Sequence, residues 1–270
     1  MSITIGTDPE FFVRDLETQE IVMGCGRIGG TKAEPLPIPG MPAGFGIQED
    51  NVMCELTVPA SHNASGFVDN VSAVLDGATK YLSERGLELV AGVPEWEFEQ
   101  AVLDSNSGAS MVGCSPDFDA YSQGEQRGAI TAAGLGTRRY CGGHIHIGVE
   151  PNCPQFVAVM FADLFIGLPL VKMGEMQGYR RGMYGTPGVY RPTPYGFEYR
   201  TPSNYWTGSR ARAAKVANMV ENLGRFLQEP ASGIRKAMMA VNWNRVRQAI
   251  LEEDQAEAMN ILREYREVVS

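Results

Sequence analysis

The sequence predicts an α+β domain, an antiparallel or mixed sheet with helices packed on one side. Three observations point there. The first 150 residues alternate strand-like and loop-like segments around one clear helix. A second helix follows Pro154, and everything from Ser209 onward has helical periodicity. No linker, low-complexity run or long repeat divides the 270 residues. Residues 1–207 therefore read as the sheet domain, with residues 208–270 as a helical extension packed on it.

The elements follow in order. Ile3–Val13 reads as a strand with Asp8 and Glu10 on one face and Ile5, Phe11 and Val13 on the other, because side chains two apart share a face. Pro9 marks an edge position or a bulge. Gln48–Val58 reads as a strand whose Val52, Cys54, Leu56 and Val58 form the apolar side, leaving Glu49, Asn51 and Glu55 on the other. A helix runs from a Ser65 cap to Gly86, with Phe67, Val71, Val74, Leu75, Ala78 and Leu82 on one face. In Cys141–Gly148, His144 and His146 share a face and the isoleucines point away. The helix from Pro154 carries Phe156, Val157, Met160, Phe161, Leu164 and Phe165. Residues 174–208, rich in Gly, Pro, Tyr and Arg, read as loop around one strand, Phe197–Thr201, which presents Glu198 and Arg200 together. Helices are expected at 209–228, about 233–251 and 254–268, the last from an Asp254 cap.

Composition narrows the class. A hydrophobic fraction of 44% with 20% charged residues is globular, and a net charge of −9 speaks against a nucleic-acid-binding surface. The charge is uneven, with eight basic residues against two acids between Lys172 and Lys215. An acidic body with an arginine cluster points to a site for a small anion, with metals held by the acids. No targeting segment opens the chain. Phe156–Val171 contains Asp163 and Pro169 and reads as too short to span a bilayer. Five cysteines without a Cys-x-x-Cys pair disfavour a disulfide scaffold and structural zinc, which leaves reduced, cytoplasmic thiols as the expectation.

Each polar pair alone fits a solvated face or an in-line ion pair. Two of the three histidines nevertheless sit in one Gly-Gly-His-Ile-His motif. If the four strands neighbour one another, one face gathers carboxylates, two imidazoles and an arginine. Such a face needs divalent cations and an anionic ligand to neutralise it. Oxygen-rich ligation with a little imidazole suits Mg²⁺ or Mn²⁺ better than zinc. Gly24–Gly29 matches G-x-G-x-x-G, but Pro35, Pro37 and Pro39 leave no room for the helix a dinucleotide turn requires. Gly29–Lys32 has the wrong order for a P-loop; Lys32 reads first as a surface lysine, and its place on a glycine-rich loop still lets it touch phosphate. Cys141 reads as a buried structural thiol. A short echo, Gly-x-x-Pro-acid-Phe at 6–11 and 113–118, is either chance or a pair of turns that each deliver an acid to one site.

Gly-Thr-Asp-Pro-Glu-Phe-Phe (6–12) resembles the glutamine synthetase strand that supplies two metal-binding glutamates before paired phenylalanines. Glu55, Gly-Gly-His-Ile-His (142–146) and Phe-Glu-Tyr-Arg (197–200) follow in that superfamily's order. With Arg-Arg-Gly-Met-Tyr-Gly (180–185), the set looks most like the phage COOH–NH2 ligase type 2 family, or amidoligases, over residues 6–206. The resemblance implies a glutamine synthetase-like catalytic sheet in residues 1–207. It further implies that Asp8, Glu10, Glu55, His144 and Glu198 hold two or three Mg²⁺ or Mn²⁺ ions, and that Arg200 faces the phosphoryl group in transfer. Asp8 is one methylene shorter than the family's usual glutamate, and Glu49 matches at a shorter spacing to Glu55.

On that reading the chain is an ATP-dependent ligase joining a carboxylate to an amine through an acyl phosphate. Arg200, Glu49 and Arg181 would act in catalysis, and Lys32, Arg180, Arg191 and His146 would bind the nucleotide. The arginines of 180–191 would clamp phosphate or the substrate carboxylate. Expected partners are small-molecule or peptide carboxylates and amines, with no nucleic acid or membrane, in a cytoplasm that is the host's if a phage encodes the chain. Two alternatives are a metal-dependent hydrolase using His144 and His146, and a non-catalytic nucleotide- or metal-binding phage protein.

Overall fold

The computed structural model describes residues 3–110, 117–128 and 131–266. The chain first forms β1 (Thr4–Thr7), β2 (Glu10–Asp15), β3 (Ile21–Val22), β4 (Leu36–Pro37), β5 (Gly46–Asp50), β6 (Met53–Ser61) and α1 (Ala64–Ser83). It continues through β7 (Leu87–Val90), β8 (Glu95–Glu97), α2 (Gln100–Asp104), α3 (Ser107–Ser110), β9 (Phe118–Asp119) and β10 (Glu125–Gln126). Next come α4 (Ala132–Leu135), β11 (Arg138–Tyr140), β12 (Ile145–Gly148), α5 (Gln155–Ala162), α6 (Leu168–Lys172), β13 (Val189–Thr193) and β14 (Gly196–Tyr199). Four helices close the sequence: α7 (Arg210–Leu227), α8 (Ala231–Ala240), α9 (Trp243–Leu251) and α10 (Gln255–Glu264).

Twelve strands join in one sheet in the order β10-β9-β13-β14-β12-β1-β6-β2-β3, with β5 on β6, β4 on β5 and β7 on β2. Every pairing in it is antiparallel. Strands β8 and β11 form a separate two-stranded ribbon. The expected α+β class is thus present, and the strands bearing the four polar pairs are contiguous.

Alternation sorts the sheet's two faces. Ile5, Phe11, Leu56, Val58, Ile145, Ile147, Phe197 and Tyr199 enter one core with Phe67 and Val71 of α1, Phe161 of α5, and Val216 and Val220 of α7. Burying each large apolar side chain there contributes about 1.5–3 kcal/mol. Ile234, Val246, Ile250 and Ile261 of the last three helices belong to the same core.

Several local expectations need correction. Ile3–Val13 is two strands, because Asp8-Pro9 interrupts the ladder and the register along β6 shifts between Ile5 and Thr7. Gln48–Val58 is a hairpin rather than one strand, turning at Asn51-Val52 with Asn51 at φ 59°. Asparagine tolerates that left-handed conformation better than most residues. Part of the supposed 174–208 loop is β13, hairpinned to β14. Its Pro192 lies past the two residues that β9 covers, where a missing amide is tolerated. Asn63, not Ser65, caps α1: its side chain accepts from Gly66 N at 2.8 Å. The helix expected over 233–251 breaks at Val241, and Asn242 caps α9 by accepting from Arg245 N.

The apolar helix after Pro154 runs from Gln155 to Lys172, with a π-helical turn at Asp163–Gly167 joining α5 to α6. Its 18 residues are long and apolar enough to cross a membrane by length and composition, which corrects the reading as too short. With 78% of that window buried inside the protein, it serves as the core helix behind the sheet.

Candidate active site

Cross-strand pairing assembles the polar face, since paired residues point the same way. His146 stands opposite Glu198, and Glu198 opposite Arg191. Glu10 pairs with Glu55, which pairs with Gln48 on its other side. Of these, Glu10, Glu55 and Arg191 border a cavity of about 430 Å³, with Gln48 and Glu198, and His146 beyond Glu198, as their cross-strand neighbours. Asp8, Glu10, Asp50 and Glu55 line it, together with Lys32, Arg139, Arg180, Arg191, Arg200 and His144.

The glycines before His144 have steric reasons. A Cβ on Gly142 would stand 2.3 Å from the His144 ring, and one on Gly143 would stand 2.1 Å from Ser203 O. Glu10 fixes this segment twice, donating its amide to Gly142 O at 2.9 Å and accepting from Gly142 N at 2.5 Å through its carboxylate. Thr7 Oγ1 donates to His144 O at 2.6 Å. The imidazole is thereby held with Nδ1 3.4 Å from Glu198, 3.5 Å from Asp8 and 3.3 Å from Arg200 Nη1. Asp8 Oδ1 also lies 3.3 Å from His146 Nε2.

Arginines and carboxylates interlock beside the histidines. Arg200 pairs with Glu198 through Nη1 and with Asp117 through Nε at 3.2 Å. Arg191 reaches the same Asp117 at 2.9 Å and Glu198 at 3.8 Å. The acids differ sharply in proton affinity. Burial, with Asp50 and Glu55 close by, pushes the Glu10 carboxyl up to about 8. Burial, with Asp8 and Asp50, lifts Glu55 to about 7. Burial works against Asp8 as well, yet His146 and His144 hold its carboxyl well below the usual carboxylate range. Burial and the Arg200 charge depress His144 to about 4.

This donor set fits a divalent cation. Ligand atoms of Asp8, His146 and Glu198 lie within 4.8 Å of one another. Asp8 Oδ1 and His146 Nε2 are buried 3.3 Å apart without a well-aligned hydrogen bond, and the carboxyls of Glu10 and Glu55 are raised by burial and by neighbouring carboxylates whose repulsion a cation would relieve.

Not every candidate converges. Glu49 faces the core side with Ile47, because it pairs with the inward Cys54, and its carboxylate accepts from Ile28 N at 3.2 Å and Gly29 N at 2.7 Å. It does not line the cavity. The glycine-rich segment it holds is a turn, with no helix before α1, as its prolines required. Glu49→Ala should therefore lower stability by about 1–3 kcal/mol in urea titration while keeping any Mg²⁺–nucleotide thermal shift. A stable variant without that shift would return Glu49 to the site. Arg181 is likewise outside the cavity, buried against Glu175 at 3.1 Å and Glu253 at 3.3 Å. Arg180, Arg191 and Lys32 do line it, whereas His146 flanks it beside Asp8. Cys141 is no nucleophile: burial and Glu10 push its thiol far up.

Residues 125–265 match the phage phiEco32-like COOH.NH2 ligase-type 2 family. The chain belongs to this family. The COOH.NH2 ligase match takes in β12, β13, β14 and the helical end through Tyr265, beyond the 6–206 region that the sequence motifs covered. A crystal structure described as a novel glutamine synthase homolog is similar at 12% identity and a TM-score of 0.41, covering 99% of this chain and 71% of that one. No curated protein matches the chain.

In this ligase-family member, sequence reasoning missed two charged groups of the cavity lining, Asp50 and Arg139, and the acid Asp117 that ties its arginines. Asp50 was hidden by counting alternation through the hairpin turn. Arg139 sits in a ribbon with no polar alternation to mark it. Asp117 was visible only as the acid of the second Gly-x-x-Pro-acid-Phe echo. Residues 113–116 of that echo, with Cys114, lie outside the described residues, but Asp117 does reach Arg191 and Arg200.

Proposed function

We propose that the chain is an ATP-dependent carboxylate–amine ligase working through an acyl phosphate. The observation that carries this reading is one cavity in which mutually repelling carboxylates meet arginines already tied to Glu198 and Asp117. A substrate carboxylate oxygen attacks the γ-phosphorus of ATP and ADP leaves. An amine then attacks the acyl carbon, phosphate departs, and the nitrogen loses a proton. Asp8, Glu10, Glu55, His144 and Glu198, with His146 adjoining, would hold Mg²⁺ or Mn²⁺. When bound, the metal neutralises phosphate oxygens. Arg200 and Arg191 orient the equatorial oxygens, and Lys32 and Arg180 add positive charge along the same cavity. Membership of the COOH.NH2 ligase family supports the bond formed.

Trapping tests it. Hydroxylamine, a small nucleophile, converts an acyl phosphate into a hydroxamate that ferric iron colours. Incubation with a carboxylic-acid pool, ATP and Mg²⁺ should yield hydroxamate and equimolar phosphate, and omission of ATP should abolish both. Bond cleavage or hydroxamate formation without nucleotide would favour the metal-dependent hydrolase.

A further inference from the structure

The helical extension carries a residue that reaches the cavity's arginine loop. Glu253 lies in the turn between α9 and α10 with φ 55°, an unfavourable conformation for a residue with a Cβ. Its partly buried carboxylate accepts from Gln177 N at 2.6 Å and from Arg181 Nε at 3.3 Å. The first contact holds the residue before the 3₁₀ turn Gly178–Gly182 and the second a residue within it, and this turn presents Arg180 to the cavity. Gln177 relays the contact: its Oε1 accepts from Arg180 Nη1, and its Nε2 donates to Thr201 O at 2.9 Å, next to Arg200. Arg181 anchors the other side, donating to Gly185 O at 2.9 Å and to Glu175, which in turn accepts from Ser203 N and Oγ.

We propose that Glu253 is a positioning residue through which the carboxy-terminal helices set Arg180 in the cavity. A buried ion pair is weak grounds for stability alone. Here one carboxylate, held in a left-handed turn, ties two successive segments of a cavity loop that otherwise exposes Met176 and Tyr179. The consequence for turnover rests on the ligase reading, while the placement of the loop does not.

Two measurements keep those apart. Trypsin should cleave slowly after Arg180 and Arg181 in the wild type, since both are buried. Glu253→Ala should speed that cleavage at least about tenfold with unchanged far-UV circular dichroism. Glu253→Gln keeps an acceptor for Gln177 N, guards against a misfolded alanine variant, and should give a smaller rise in the same direction. Unchanged cleavage overturns the proposal whatever the chemistry. In the hydroxamate assay, Glu253→Gln should lower kcat/KM for ATP about tenfold, because Arg180 contributes to nucleotide binding. That loss should vanish in an Arg180→Lys background, because residues acting as a unit are not additive. Additive losses would overturn the positioning role. A wild type that makes no hydroxamate would sink the ligase reading and leave the cleavage measurement to decide the placement.

Discussion

Arg200→Lys is expected to lower ligase turnover by about a hundredfold or more, comparable with removing one preorganised donor from a transition state. Arg200 bridges Glu198 through Nη1 and Asp117 through Nε, and Nη2 takes no part in those contacts. A lysine keeps the charge but has one nitrogen in place of the planar fork. It holds one carboxylate or a phosphoryl oxygen, not both at a fixed angle. Ground-state nucleotide binding also draws on Lys32, Arg180 and Arg191, which line the same cavity. Calorimetric affinity for a non-hydrolysable ATP analogue should therefore fall much less than turnover, since the contact tightens as charge shifts in the transition state. A melting curve guards against general damage from the disturbed Glu198 and Asp117 pairs. Turnover within a few-fold of wild type would remove Arg200 from the phosphoryl-transfer step.

The polar set of the proposed metal site was legible because it depends on a rule local to each strand. In β12 and β14, His144 with His146 and Glu198 with Arg200 fall on one face simply by being two apart, and antiparallel pairing brings the strands side by side. The same rule failed at 48–58, where alternation was counted through a turn. Asn51 reverses the chain there, so Asp50 and Glu55 face the cavity while Glu49 faces the core. Pro192 and Pro194 disguised β13, since proline composition reads as loop wherever the pairing edge is unknown. Arg181 and Arg180 are adjacent and chemically identical, and only tertiary contacts from Glu175 and Glu253 decide which one turns away from the cavity. The Glu253 contact spans 72 residues and leaves no periodic trace.

Without divalent metal, stability should fall as pH rises from about 5 to 8.5. Glu10 and Glu55 keep their protons to about 8 and about 7 in the folded protein, against a usual 4.5. Between those values the unfolded chain binds fewer protons than the folded one, so the pH derivative of the unfolding free energy is negative. Stability from these two groups is complete below about 4.5 and is lost as pH climbs through 7 and 8. The loss should be on the order of a few kcal/mol, read from urea unfolding in a chelator. Asp163 supplies an internal control. Buried on the core face and hydrogen-bonded by Tyr199 at 2.6 Å, its carboxyl is also pushed up, to about 7, by burial. Its share has the same sign but lies behind the sheet, so Mg²⁺ should leave it unchanged, and Asp163→Asn should remove it at any metal concentration. Mg²⁺ or Mn²⁺ should recover the share due to Glu10 and Glu55 at pH 8.5, where both are ionised and repel each other, and should do little at pH 5. Glu10→Gln, unable to ionise, should lessen the metal-free slope by the Glu10 share, leaving those of Glu55 and Asp163, and lose most of the metal-dependent recovery. A metal-free stability that is level or rises over this range, or a full recovery in Glu10→Gln, would show that the carboxylate cluster is structural.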